Sequence, residues 1–157
     1  MPRHILVTLD TYGRSARVLA RVCLLARHCR STVSLLMVAA LEREPVLAAP
    51  ATRTAVPTDT PVHQYLHEVA IFLRQQGIEV HTLVRCGEPV ETILTVAREV
   101  GADLIAMTMP WRTGDTLSDA RNITEQVIRQ APLPVLVERP HVGAVKPKRS
   151  GQCSAKM

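Results

Sequence analysis

Residues 102–139, ADLIAMTMPWRTGDTLSDARNITEQVIRQAPLPVLVER, decide the fold. They read as strand, loop, helix, strand. Residues 102–109 form an apolar run of strand length, whereas Ala120, Ile123, Val127, Ile128 and Ala131 recur at the three- and four-residue spacing of one helical face. Pro132 and Pro134 stop the helix, and Val135, Leu136 and Val137 make a second short strand before Pro140. Two strands joined through a helix are parallel, so the loop after the first opens at a carboxyl end, where open α/β sheets bind ligands.

Upstream the pattern repeats. Residues 4–9 are nearly continuously apolar, as suits a parallel strand buried on both faces, and end at Asp10. A turn over 11–15 leads into a helix striped by Leu19, Val22, Cys23 and Ala26. Its outer face carries Arg14, Arg17, Arg21 and Arg27, for which a solvated surface is a plainer reading than a face for an acidic partner. Residues 32–39 are a second buried strand. Residues 42–60, rich in Pro, Ala and Thr, show no period and read as a flexible insert. Thr60 and Pro61 start a helix lined by Val62, Tyr65, Leu66, Val69 and Leu73, and Gly77 ends it. Residues 78–85 are apolar only in part, as an edge strand would be, and Gly87-Glu88-Pro89 opens a third helix striped by Val90, Ile93, Leu94, Ala97 and Val100. Five strands in strict alternation with four helices predict a single-domain α/β sandwich with a parallel sheet and helices on both faces.

Composition agrees and excludes alternatives. A hydrophobic fraction of 46% with 21% charged residues is that of a globular chain, and 157 residues suffice for one domain. With 3% aromatics, the stacking platforms of single-strand nucleic-acid binders are lacking. Beyond His141 stand Lys146, Lys148, Arg149 and Lys156 with no acid, so four of the five net positive charges belong to the last residues. Residues 141–157 therefore read as a basic, disordered tail, and nucleic acid is not expected as a partner. No targeting segment precedes the first strand and no stretch approaches the ~18 apolar residues of a membrane span, so a cytoplasmic protein is expected. Cys23, Cys29, Cys86 and Cys153 lack metal-site spacing and are expected as thiols. His63 and His67, four apart on a helix, lack a third ligand, so no metal is expected. Neither a Gly-x-Ser-x-Gly elbow, a Walker loop nor a zinc-peptidase motif is present.

The segment ITEQVIRQAPLPVLVERP, with HILVTLD at the amino end and GEPVETILTVAREVGADLIAM between, resembles the universal stress protein family over about residues 3–140. That resemblance implies the strand order 3-2-1-4-5 of the adenine nucleotide α-hydrolase-like fold, a domain over 1–140, and often a homodimer paired through the last strand, here Val135, Leu136 and Val137. It also implies a nucleotide crevice in which Asp10 and the backbone of Val38 meet the adenine end. Nucleotide-binding members carry Gly-x2-Gly-x9-Gly-Ser/Thr. Aligned on Ala131-Pro132, those places fall on Thr108, Trp111, Arg121 and Asn122. A phosphate loop needs glycine for close backbone approach, which Trp111 and Arg121 obstruct. Arg112 and Arg121 could supply charge instead and Asn122 could replace the hydroxyl, while Asp115 and Asp119 would repel a polyphosphate. The reading is a dimeric stress-response binding protein with an unidentified protein partner, no catalysis and no obligatory cofactor. The alternative is a member binding ATP or AMP through a rebuilt loop.

Overall fold

The computed structural model describes residues 1–9, 16–39, 61–109 and 117–139. The insert at 42–60 and the tail at 141–157 lie outside them. Among the described residues nine elements alternate as expected: β1 (His4–Thr8), α1 (Ala16–Cys29), β2 (Thr32–Ala39), α2 (Pro61–Gln75), β3 (Val80–Cys86), α3 (Pro89–Glu99), β4 (Leu104–Thr108), α4 (Leu117–Gln130) and β5 (Val135–Glu138). All strand pairs are parallel and the order is β3-β2-β1-β4-β5.

The order decides which face each helix covers. From β1 to β3 the sheet grows in one direction and from β3 it jumps back to β4 and grows in the other. Right-handed crossovers therefore place α1 and α2 on one face and α3 and α4 on the other. The core divides accordingly. Ile5, Val7, Leu35 and Met37 pack with Val18, Val22, Leu66 and Leu73 on the first face. On the second, Leu6, Leu36, Ile105 and Met107 pack with Val90, Ile93, Ala97 and Val127. Alternate residues of β1 thus enter opposite layers, which is why its sequence is apolar throughout. Each buried aliphatic side chain contributes roughly 1.5–3 kcal/mol.

Local chemistry sets the boundaries. Gly77 and Gly101 follow their helices at φ of 78° and 64°, the left-handed turn that glycine adopts without strain. At α3 the Glu88 carboxylate caps the helix, accepting the Glu91 N–H at 2.8 Å, with Pro89 in the first turn. The edge assignment of β3 holds: His81, Thr82, Arg85 and Cys86 are exposed.

One helical face differs from expectation. Among the described side chains of α4 the buried ones are Thr124, at 1% exposure, and Val127; Ile123 and, just past the helix, Ala131 are half-buried, while Ile128 is 47% exposed. Periodicity counted over apolar residues admits Ile128 and passes over Thr124. The face that meets the sheet is centred between Thr124 and Val127, which leaves Ile128 at its margin.

Candidate functional site

Because every strand is parallel, the carboxyl ends of β1, β2 and β4 lie at one end of the sheet. β1 is central, with β2 on one side and β4 on the other. The chain runs toward β3 on the β2 side and toward β5 on the β4 side, so the topological switch point falls between β1 and β4. Leu9 continues β1 past its last ladder residue, donating its N–H to Leu36 O at 2.9 Å.

Two predicted residues are fully described here. Val38 is half-buried near the end of β2, opposite Arg85 of β3, and packs against the α3–α4 layer. Thr108 ends β4 opposite Glu138, and the ladder continues one step further as Met109 N–H donates to Glu138 O at 3.0 Å. Thr108 Oγ1 is buried and has no hydrogen-bond partner among the described residues. Leaving a buried hydroxyl unpaired costs about 1–3 kcal/mol, so this atom presents unused hydrogen-bonding capacity at the switch point. Arg121 and Asn122 have their backbone in α4, beyond the β4–α4 connection, and their side chains lie outside the described residues. Asp10, Trp111, Arg112 and Asp115 also lie outside them. The sheet therefore brings Val38 and Thr108 to the carboxyl end, on β2 and β4 flanking β1.

The opposite end of the sheet holds a polar assembly that sequence reasoning missed. The Asp103 carboxylate, in the turn before β4, accepts the backbone N–H of Arg3 at 2.8 Å and of His4 at 3.0 Å. These two hydrogen bonds hold its pKa below the usual carboxylate value. His4 Nε2 lies 2.8 Å from Ser34 Oγ, and the ring also hydrogen-bonds the Val100 carbonyl. Burial, with a smaller contribution from His81, lowers the His4 pKa below 6.5 against the opposing pull of Asp103 and Glu79. Ser31 Oγ donates to Pro2 O at 2.7 Å. The assembly pins the start of β1 to β2 and β4. The sequence signal was faint: an Asp two residues past the helix-ending Gly101.

Among the described residues no group of three His, Cys, Asp or Glu could hold a metal ion, and no helix is long and apolar enough to cross a membrane. Cys23 is buried, Cys29 half-buried and Cys86 exposed, all as free thiols.

A five-stranded parallel sheet of this order, with helices on both faces and its switch point between β1 and β4, defines the adenine nucleotide α-hydrolase-like class of α/β domain. The universal stress protein family model matches residues 1–139, and the chain belongs to that family. No curated protein matches it by sequence. Among solved structures it is similar to a universal stress protein from Archaeoglobus fulgidus DSM 4304, at 21% identity and TM-score 0.63, covering 87% of this chain. The chain spans only 44% of that longer protein. It is also similar to a universal stress protein solved in complex with cAMP, at 17% identity and TM-score 0.66, covering 88% of this chain and 97% of that one. A third likeness is the Archaeoglobus fulgidus universal stress protein in complex with dAMP, at 24% identity and TM-score 0.61, covering 85% and 94%. At these identities the likeness is one of fold.

Proposed function

We propose that this chain is a cytoplasmic, homodimeric universal stress protein that acts by binding a protein partner, without chemistry of its own, and whose crevice holds adenine nucleotides only weakly. The observation that carries this reading is the replacement of the three fingerprint glycines by Thr108, Trp111 and Arg121. Thr108 is a strand residue laddered to β5, so its backbone is committed to the sheet rather than to wrapping a phosphate. Asp115 and Asp119 add negative charge to the same stretch of sequence.

The dimer reading rests on β5. Ile105 and Met109 take the carbonyls of Pro134 and Glu138, so by the alternation of a parallel ladder the N–H and C=O groups of Val135 and Val137 point to the free edge. The side chains of Val135 and Val137 pack into one layer and that of Leu136 into the other. A second copy pairing antiparallel across a twofold axis satisfies the edge groups of both chains.

A second reading, binding of an adenine nucleotide, is favoured by the unpaired Thr108 hydroxyl and by the relatives solved with cAMP and dAMP. Nucleotide extracted from the purified protein and identified by mass spectrometry separates the two. The partner-binding reading expects far less than one nucleotide per chain, and stoichiometric ATP would replace it with the second.

A further inference from the structure

The outer face of α1 is charged unlike any other helix surface described. Arg17, Arg21, Arg27 and His28 are all exposed, and the helix contains no acidic residue. The outer faces of α2 and α3 mix signs: His67 and Glu68 with Arg74 on one, Glu91 and Glu99 with Arg98 on the other. Without its last residues the chain is nearly neutral, so the arginines of α1 reflect segregation rather than a general surplus.

The helix's own electrostatics explain only part of this. Arg27 and His28 sit in the last turn, where the helix dipole favours cations. Arg17 sits in the first turn, where the dipole disfavours one, and four residues before Arg21, a like-charge spacing that weakens the helix. Among the described residues Arg17 and Arg27 have no acidic partner. Arg21 has Glu138 at 3.6 Å, a partly exposed pair of small worth.

Between these charges stands Leu24, 67% exposed. Arg17, Arg21, Leu24 and His28 follow the i, i+4, i+7, i+11 spacing of a single seam, on the order of 16 Å long. A cationic seam around one apolar knob fits an acidic helix that carries an apolar residue among its carboxylates. A lone leucine buries too little area for a lipid surface, and the seam offers no aromatic ring to stack on bases.

We propose that the outer face of α1 is a docking surface for an acidic, amphipathic helical segment of a partner protein, with Arg17, Arg21 and Arg27 meeting its carboxylates and Leu24 seating its apolar residue. The inference rests on the reading of this protein as a partner-binding member and gives that partner its chemistry. Nucleotide content tests that reading, whereas the measurement below tests only the face.

The probe is a fluorescein-labelled synthetic helix with glutamates spaced i, i+4 on either side of a central leucine, titrated with the full chain and read by anisotropy at low salt. Arg17→Glu is expected to weaken binding about fivefold and Leu24→Ser about threefold, and rising salt to weaken it further. Arg98→Glu makes the same charge change on the opposite layer and is expected to leave binding unchanged, with circular dichroism showing each variant folded. Oligothymidylate is expected not to compete. The proposal is overturned if the peptide does not bind, if Arg17→Glu and Leu24→Ser bind like the parent, as attachment through the basic tail would predict, if Arg98→Glu weakens binding as much as Arg17→Glu, or if oligothymidylate displaces the peptide.

Discussion

His4 and Asp103 exchange two hydrogen bonds: His4 N–H donates to Asp103 Oδ2 at 3.0 Å and Asp103 N–H to His4 O at 2.8 Å. The pair fixes the register of β1 against β4 at the amino end of the sheet, opposite the strand ends that carry Thr108 and Val38. Asp103→Ala removes the acceptor for both the Arg3 and His4 amides. It is expected to lower the urea midpoint without changing the slope of the transition, since the surface exposed on unfolding is the same. Asp103→Asn, which retains one oxygen acceptor, is expected to fall between the two.

The same corner gives stability a pH dependence of definite sign. His4 has its folded pKa below the unfolded value of 6.5, so the unfolded chain takes up the proton first. Its contribution is present above pH 6.5 and lost as pH falls through the lowered folded value. Asp103, also lowered, contributes above its unfolded value of 3.8 and loses that contribution as pH falls through its own folded value. Urea midpoints should therefore be level above about pH 7 and decline in acid. His4→Gln should flatten the decline that begins near pH 6.5 and leave the more acidic one in place.

At α4, Val127 is fully buried and Ile128 is 47% exposed. Val127→Ala is expected to cost roughly 2 kcal/mol, combining lost burial with a small cavity. Ile128→Gln is expected to stay within about 0.5 kcal/mol of the parent. Chemical denaturation of both variants checks the orientation of the helix.

Gly87, between β3 and α3, has φ of 153°, and a Cβ there would meet Thr92 Oγ1 at 2.8 Å. Gly87→Ala should cost on the order of 1–3 kcal/mol. Thr92→Ala in the same chain should recover only the part owed to the clash, because the backbone strain remains.

These particulars show what the sequence disclosed and what it withheld. β1, β2 and β4 were legible because a strand buried on both faces must be apolar at nearly every position, as Ile5, Leu6 and Val7 are. The strand order came through resemblance, since alternation alone fits several orders. The rotation of α4 was missed because a threonine counts as polar in a periodicity whatever buries it. Glu88 as the α3 cap was missed because glutamate is an uncommon cap. Thr108 and Val38 lie at or near the carboxyl ends of β4 and β2, which followed from the identity of those strands. The roles of Asp10, Arg112, Arg121 and Asn122 depend on side chains outside the described residues, and nothing in local pattern fixes them. The His4–Asp103–Ser34 assembly joins residues far apart in sequence, which no window can register.

If β5 mediates the dimer, its free-edge amides should govern it. Val137→Pro removes an outward N–H while leaving the bonds of Leu136 and Glu138 to β4 available. Sedimentation at micromolar concentration should show the parent as a dimer and this variant shifted toward monomer. A monomeric parent would refute the assembly.

Nucleotide affinity decides the central claim. Isothermal calorimetry of the unaltered protein with ATP, AMP and adenosine is expected to give an ATP dissociation constant above roughly 100 μM, weaker than about 5.5 kcal/mol of binding. AMP and adenosine should bind nearly as well, because Thr108, Trp111 and Arg121 stand where nucleotide-binding members of the family carry the glycines that let backbone approach a phosphate. A submicromolar ATP affinity that depends on the triphosphate would contradict the account.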